Sequence, residues 1–245
     1  MNVVLLRVGI DSGTGGAHGA LFPDGSFEYI PIPDGSGLDE RTYGNTLGCC
    51  GRPLVELLPV SMRSRMASQS MHYDPEFATF TYGDPTVPKA GLRRLQRDDL
   101  LVFYAGLQES AGESALYLIG YFEVVMAGLA TVFTHEDLKT HFHANFHVRH
   151  ASILADQRHR LVLVKGGDGS RLLTKAVKIS EIGMDRSGKP LKVLSNEMQR
   201  VFGTFGGRVS IQRSPPRWID PNFSQQAAEY CVPKSESCCG EGHEQ

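Results

Sequence analysis

Little in this sequence marks a membrane protein, a secreted protein or a dedicated nucleic-acid binder. Near the start the longest apolar run is Val3-Val4-Leu5-Leu6, too short for a bilayer span or for a signal-peptide core. There are only five cysteines: the pair Cys49-Cys50, then Cys231, Cys238 and Cys239. An odd number with two adjacent pairs does not fit a disulfide framework, so reduced thiols, a cytoplasmic location and no membrane partner are expected. Positive charge is not in excess either. With 25 Lys and Arg against 27 Asp and Glu the formal net charge is −2, and any contact with nucleic acid has to come from a local patch. The 27 glycines occur in neither the dinucleotide-binding nor the Walker spacing, and no internal repeat is found.

What is present is an ordinary globular composition, 41% hydrophobic and 21% charged in 245 residues, enough to bury a substantial core. Strand signals outnumber helix signals and do not alternate with them, which predicts an α+β, strand-rich mixed fold and argues against a doubly wound sheet. Residues 1–219 are read as one domain and residues 220–245 as a polar, Cys-containing tail without fixed structure.

Residues 3–8 predict a strand running directly into Gly9-Ile10-Asp11-Ser12-Gly13-Thr14-Gly15-Gly16. Pro23-Asp24-Gly25-Ser26 predicts a hairpin turn, because Asp and Gly tolerate its backbone angles. Asp99 to Tyr104 and Ala115 to Val125 predict a buried pair of strands joined by the polar loop 108–114. Thr134, followed by Glu136 and Asp137, predicts a capped helix over 135–142. A strand over Leu161 to Lys165, a helix over 190–202 ending at Gly203, and a last strand over Val209 to Ile211 complete the reading.

Four stretches could carry chemistry. In the first glycine-rich loop, backbone N–H groups can approach an anion closely, which makes Arg7, Gly15 and Gly16 candidate phosphate contacts and Asp11 and Ser12 candidate catalytic groups. Histidines 141, 143, 147 and 150 form the second. On a continuous helix His143 and His147 would share a face, as would His147 and His150. No cysteine or carboxylate stands at ligand spacing beside them, so no metal is assigned, the cofactor is left open, and His147 and His150 are read as acid–base or phosphate groups. Asp34, Asp74 and Asp84 are candidate bases that compete with a simple role in Pro-containing turns. Finally, basic residues cluster at Lys89, Arg93, Arg94 and Arg97, and again at Arg208, Arg213 and Arg217 beside Trp218. Together with Lys165 and Tyr104, the residues Arg213, Arg217 and Trp218 are candidates for contacting a phosphate or stacking on a base.

Taken in order, Arg7 to Ser12 with Gly15-Gly16, Pro31 to Asp34, His72 to Glu76, Asp98 to Tyr104, Ile119 to Tyr121 and His147 to His150 resemble the nucleotide modification associated domain 3 family. Its members are encoded near DNA-modification systems of phages and bacteria. The likeness spans about residues 1–218. It implies a protein that makes or handles a hypermodified base, with a nucleotide or DNA as partner, alongside other components of a modification system. A second, shorter likeness covers about residues 92–128, which resemble the central hairpin of PUA-like barrels, folds that hold a flipped-out or modified base. Two functions follow as expectations: an enzyme acting on a nucleotide or DNA base, or a non-catalytic module recognising a modified base. In the second, Tyr104, Tyr121 and Trp218 would be the stacking surfaces.

Overall fold

The computed structural model describes residues 1–109, 112–212 and 215–232. In chain order its strands and helices are β1 (Val3–Val8), β2 (Gly19–Leu21), β3 (Phe27–Glu28), β4 (Ile32–Pro33), α1 (Val60–Met66), β5 (Met71–His72), β6 (Thr81–Asp84), β7 (Leu100–Gln108), β8 (Ala115–Leu129), α2 (His135–His141), α3 (Phe146–Arg149), α4 (Ala151–Gln157), β9 (Val162–Gly166), β10 (Arg171–Lys178), β11 (Ser180–Met184), β12 (Pro190–Leu194), α5 (Asn196–Phe202), β13 (Arg217–Trp218) and α6 (Pro221–Cys231). The protein is α+β.

The central sheet follows the order β13-β1-β7-β8-β9-β6, with β10 on β8, β2 on β7 and β3 on β2. The β7–β8 hairpin pairs Leu100 with Glu123 through to Leu107 with Ala115, and β1 lies parallel to β7 from Val3–Leu100 to Val8–Ala105. At 15 residues, β8 is long enough to pair its first part with β7 and β10 and its last part with β9. Register breaks between Phe103 and Tyr104 and between Val124 and Met126 bend these ladders, as an extra residue in one strand does, and the sheet curls into a half-barrel open at β13 and β6.

Why β1 opens with the unbroken apolar run Val3 to Leu6 follows from its two faces. Val3 and Leu5 enter one core with Val102, Tyr104, Leu118 and Tyr121, closed by Met198 and Phe202 of α5 and Ala227 of α6. Val4, Leu6 and Val8 enter the opposite core with Phe103, Ile119, Phe122 and Val164. A strand buried on both faces has no position at which a polar side chain can alternate. Two satellite clusters extend these cores. One gathers Ile10, Ile30, Tyr43, Leu54, Met66 and Met71 under the loops around α1, and the other gathers Ala130, Leu138, Phe142 and Leu163 beneath α2.

Several expectations met a different structure. Residues 190–202 are not one helix: Pro190–Leu194 pairs with β11, and the helix starts only after Ser195, whose side chain accepts the Met198 N–H. Leu191 and Val193 flank Lys192 at the strand period of two, a signal that the neighbouring helical pattern concealed. Val209 to Ile211 contributes only a single bridge, Val193 to Ser210, and the last strand is β13. The stretch 220–232, expected to be unstructured, contains α6. Asp220 caps it, Pro221 opens it, and Ser224, Ala227, Ala228 and Cys231 bury one face. Cys238, Cys239 and the remainder of the expected tail lie outside the described residues.

Candidate functional site

A cavity of about 1120 Å³ opens between the loop after β1, the end of β5, the β6 region, α3 and the β11–β12 hairpin. Its first wall begins where β1 ends. Gly9, at φ +75°, diverts the chain, and a side chain there would meet the Tyr29 ring at 3.0 Å and the Ile30 carbonyl at 3.2 Å. Asp11 then organises the loop: Oδ1 accepts the N–H groups of Gly13 and Thr14, both at 2.7 Å, and Oδ2 pairs with the Arg7 guanidinium at 3.0 Å. Arg7 also donates to the Gln212 carbonyl, tying this loop to the chain beyond β12.

The second wall is a histidine–carboxylate cluster. His72 ends β5, and Asp74 stands two residues later. The Gly83 N–H in β6 donates to both Asp74 oxygens, at 2.8 and 3.0 Å. Asp74 Oδ2 then lies 3.3 Å from His147 Nε2 and 3.5 Å from His72 Nε2. His147 is placed by its own short helix: Asn145 caps α3 and accepts the His147 N–H. On the far side of the ring Nδ1 meets Gln157 Oε1 at 2.6 Å. Gly83 is required here, since a Cβ at that position would approach the Asn145 side chain and the His147 ring to 2.9 Å. His72 stacks on Phe146 with centroids 4.0 Å apart.

Charge is distributed unevenly around this space. Burial disfavours a charged His147, but the hydrogen bond and negative charge of Asp74, aided by Gln157, outweigh it and move its pKa up. Lys89, 7% exposed, is pushed down to about 8 by burial, against the attraction of Asp84 and Asp74. Burial also lowers Lys192 and His18, with Arg7 adding to both and Lys192 repelling His18. Tyr82 donates to Asp84 Oδ2 at 3.1 Å, and burial raises its phenol well above the ordinary value.

Of the residues singled out from the sequence, Arg7, Asp11, Ser12, Asp74 and His147 line this cavity together, with Asp84 and Lys89 beside them. The others do not. Gly15 and Gly16 lie outside the lining, and a side chain on Gly15 would strike Ile10 at 2.6 Å, so that glycine faces the satellite core. Asp34 is buried, its carboxylate spent on the N–H and hydroxyl of Ser36. His150 sits between α3 and α4 against Phe146, and because α2 ends at His141 and α3 begins only at Phe146, the histidines share no continuous helix. Tyr104 and Tyr121 are core residues, the Tyr104 hydroxyl donating to the Ile211 carbonyl, and neither offers a stacking face. Lys165 donates to the Thr79 carbonyl. Arg217 lies over Phe205 and Trp218 under Arg94, at the β13 edge. Arg213 lies outside the described residues.

Sequence reasoning missed His72, Gln157 and Lys192 as site residues. The His72-x-Asp74 spacing was a usable signal, since residues two apart on extended chain share a face. Gln157 and Lys192 carry no local mark, and Lys192 was hidden in a segment read as helix. No helix among the described residues is long and apolar enough to cross a membrane.

No curated protein and no solved structure matches the chain. The family model described as nucleotide modification associated domain 3 matches residues 2–235, nearly its whole length, and the chain belongs to that family.

Proposed function

We propose that the protein is an enzyme that modifies a nucleotide or a base of DNA, and that the reaction takes place in the cavity between the β1 loop and the His72–Asp74–His147 cluster. The observation that carries this reading is the convergence, from distant segments, of Arg7, Asp74, Lys89, His147 and Lys192 on one cavity. At about 1120 Å³ the space is slightly larger than the roughly 300–1,000 Å³ of ordinary small-ligand pockets, which leaves room for a nucleotide. Arg7, Lys89 and Lys192 supply positive charge for a phosphate, and Asp11 fixes the shape of the loop beside them by accepting the Gly13 and Thr14 N–H groups. The histidine–carboxylate cluster supplies the reacting groups. Lys89, with its pKa near 8, can exchange a proton close to neutral pH.

The test is mass spectrometry of small molecules released from native protein and of nucleosides from DNA of cells producing it. The wild type should retain a nucleotide or yield an altered nucleoside, and Asp74→Asn should abolish the alteration. A protein that retains no nucleotide and leaves the DNA unchanged would sink the reading.

A non-catalytic module recognising a modified base is the second reading. Trp218 beneath the Arg94 guanidinium, at 4.8 Å, is the observation that favours it. In that case modified DNA would bind, Trp218→Ala would weaken binding, and Asp74→Asn would leave it unchanged.

A further inference from the structure

We infer that His72 Nε2, Asp74 Oδ2 and His147 Nε2 hold one divalent transition-metal ion at the cavity wall. The role such an ion would play there rests on the enzymatic reading of the cavity. Its binding does not.

The three donor atoms lie within 4.8 Å of one another, although they come from β5, the turn after it and α3. Ligands held at about 2.0–2.2 Å from one ion stand roughly 3–4 Å apart, the range in which the two nitrogen–oxygen distances, 3.5 and 3.3 Å, fall. The extended His72-x-Asp74 segment turns two ligands to one side, and His147 closes the set from the other. Three protein ligands leave coordination positions for water or substrate, as catalytic sites do.

The hydrogen bonds around the cluster point the same way. Gln157 Oε1 meets His147 Nδ1 at 2.6 Å and accepts a proton held there, which leaves Nε2 facing Asp74 to carry either a second proton or a metal ion. At 3.3 Å from a carboxylate oxygen, Nε2 needs a proton or a cation between the two atoms, and a bound ion fills that place. An outer acceptor on the far nitrogen is the usual support of a metal-bound histidine, and the Gly83 N–H on both Asp74 oxygens and the Phe146 ring against His72 complete that support. Two imidazoles and one carboxylate suit a first-row ion such as Zn²⁺, Co²⁺ or Fe²⁺ better than Ca²⁺ or Mg²⁺, which prefer oxygen alone.

The full-length protein, stripped with a chelator, would be titrated calorimetrically with Zn²⁺ and followed by visible absorption with Co²⁺. About one equivalent should bind, and Co²⁺ should give the intense spectrum of a low-coordinate site. His72→Ala, at a partly exposed position, and Asp74→Asn should each abolish binding at concentrations that saturate the wild type. Gln157→Ala should weaken it by about 10–100-fold without touching the ion, with circular dichroism confirming the fold of each variant. Absence of binding by Zn²⁺, Co²⁺, Mn²⁺ and anaerobic Fe²⁺ would overturn the proposal and leave a protonated His147 paired with Asp74. Binding that survives in His72→Ala and Asp74→Asn would overturn it too, by placing the ion elsewhere. An altered nucleoside made without metal would keep the enzymatic reading and remove the site. Stoichiometric metal with unchanged DNA and no retained nucleotide would do the reverse.

Discussion

Arg7 and Asp11 are joined by a 3.0 Å ion pair across the turn that follows β1, both side chains largely buried. The other Asp11 oxygen is occupied by the Gly13 and Thr14 N–H groups, so the carboxylate holds the loop in shape. Asp11→Ala should lower stability by about 1–3 kcal/mol, because two N–H groups and a buried guanidinium lose their acceptor. Asp11→Asn should lose less, since an amide oxygen can still accept both N–H groups. Urea denaturation of the two variants checks this, and equal midpoints would show that the carboxylate does not organise the turn.

Gly15 packs inward rather than toward the cavity. At φ +96° with a Cβ position 2.6 Å from the buried Ile10 side chain, Gly15→Ala should cost about 2–4 kcal/mol through backbone strain and overpacking together. Gly37→Ala separates the two effects. Gly37 also has positive φ, +67°, but has nothing within 4 Å of its Cβ position, so only the strain of about 1–2 kcal/mol should remain. Thermal denaturation of both variants would expose an error if Gly37→Ala proved the more damaging.

Lys89 ties stability to alkaline pH. Its folded pKa of about 8 lies below the ordinary lysine value of 10.5, so below pH 8 both folded and unfolded chains carry the proton and the full cost of burying the charge is felt. Between about pH 8 and 10.5 the folded protein loses that proton first, and this residue's contribution to stability rises with pH. The rise should be of the order of 2–3 kcal/mol and should be missing from Lys89→Met. Denaturation curves for both proteins across this range isolate it from other groups, and parallel pH profiles would contradict the burial of the ammonium.

Among the described residues, Cys50, Cys49 and Cys231 should react in a fixed order. The Arg52 side chain holds the exposed Cys50 thiol below its usual pKa. Burial, then Glu28, pushes Cys49 up to about 11, and burial alone pushes Cys231 up to about 12. Because the thiolate is the reactive form, iodoacetamide at neutral pH should label Cys50 first, Cys49 slowly and Cys231 only after unfolding. Peptide mass spectrometry reads the order directly, and early labelling of Cys231 would show that α6 does not cover the core.

Local signals were sufficient for much of the fold. The Val3 to Val8 run, the Pro23 to Ser26 turn, the β7–β8 hairpin, the Thr134 cap with its Asp137 partner and the stop at Gly203 were all legible, because each depends on residues close in sequence. Helix α6 was not. Its buried face is made of Ser224, Ala227, Ala228 and Cys231, too weakly apolar to stand out until a sheet lies beneath it.

The candidate site divides along the same line. The sequence alone determined that a glycine-rich turn follows a buried strand, that Asp74 stands beside a proline, that histidines crowd the segment from 141 to 150, and to which family these stretches bear a likeness. Only the tertiary structure decided which histidine reaches the cavity. His147 and not His143 meets Asp74, because Asn145 starts a new helical turn and Gly83, lacking a Cβ, lets that turn settle against β6. Contacts between segments far apart in sequence depend on how the cores between them pack, and no local pattern of residue types encodes that packing.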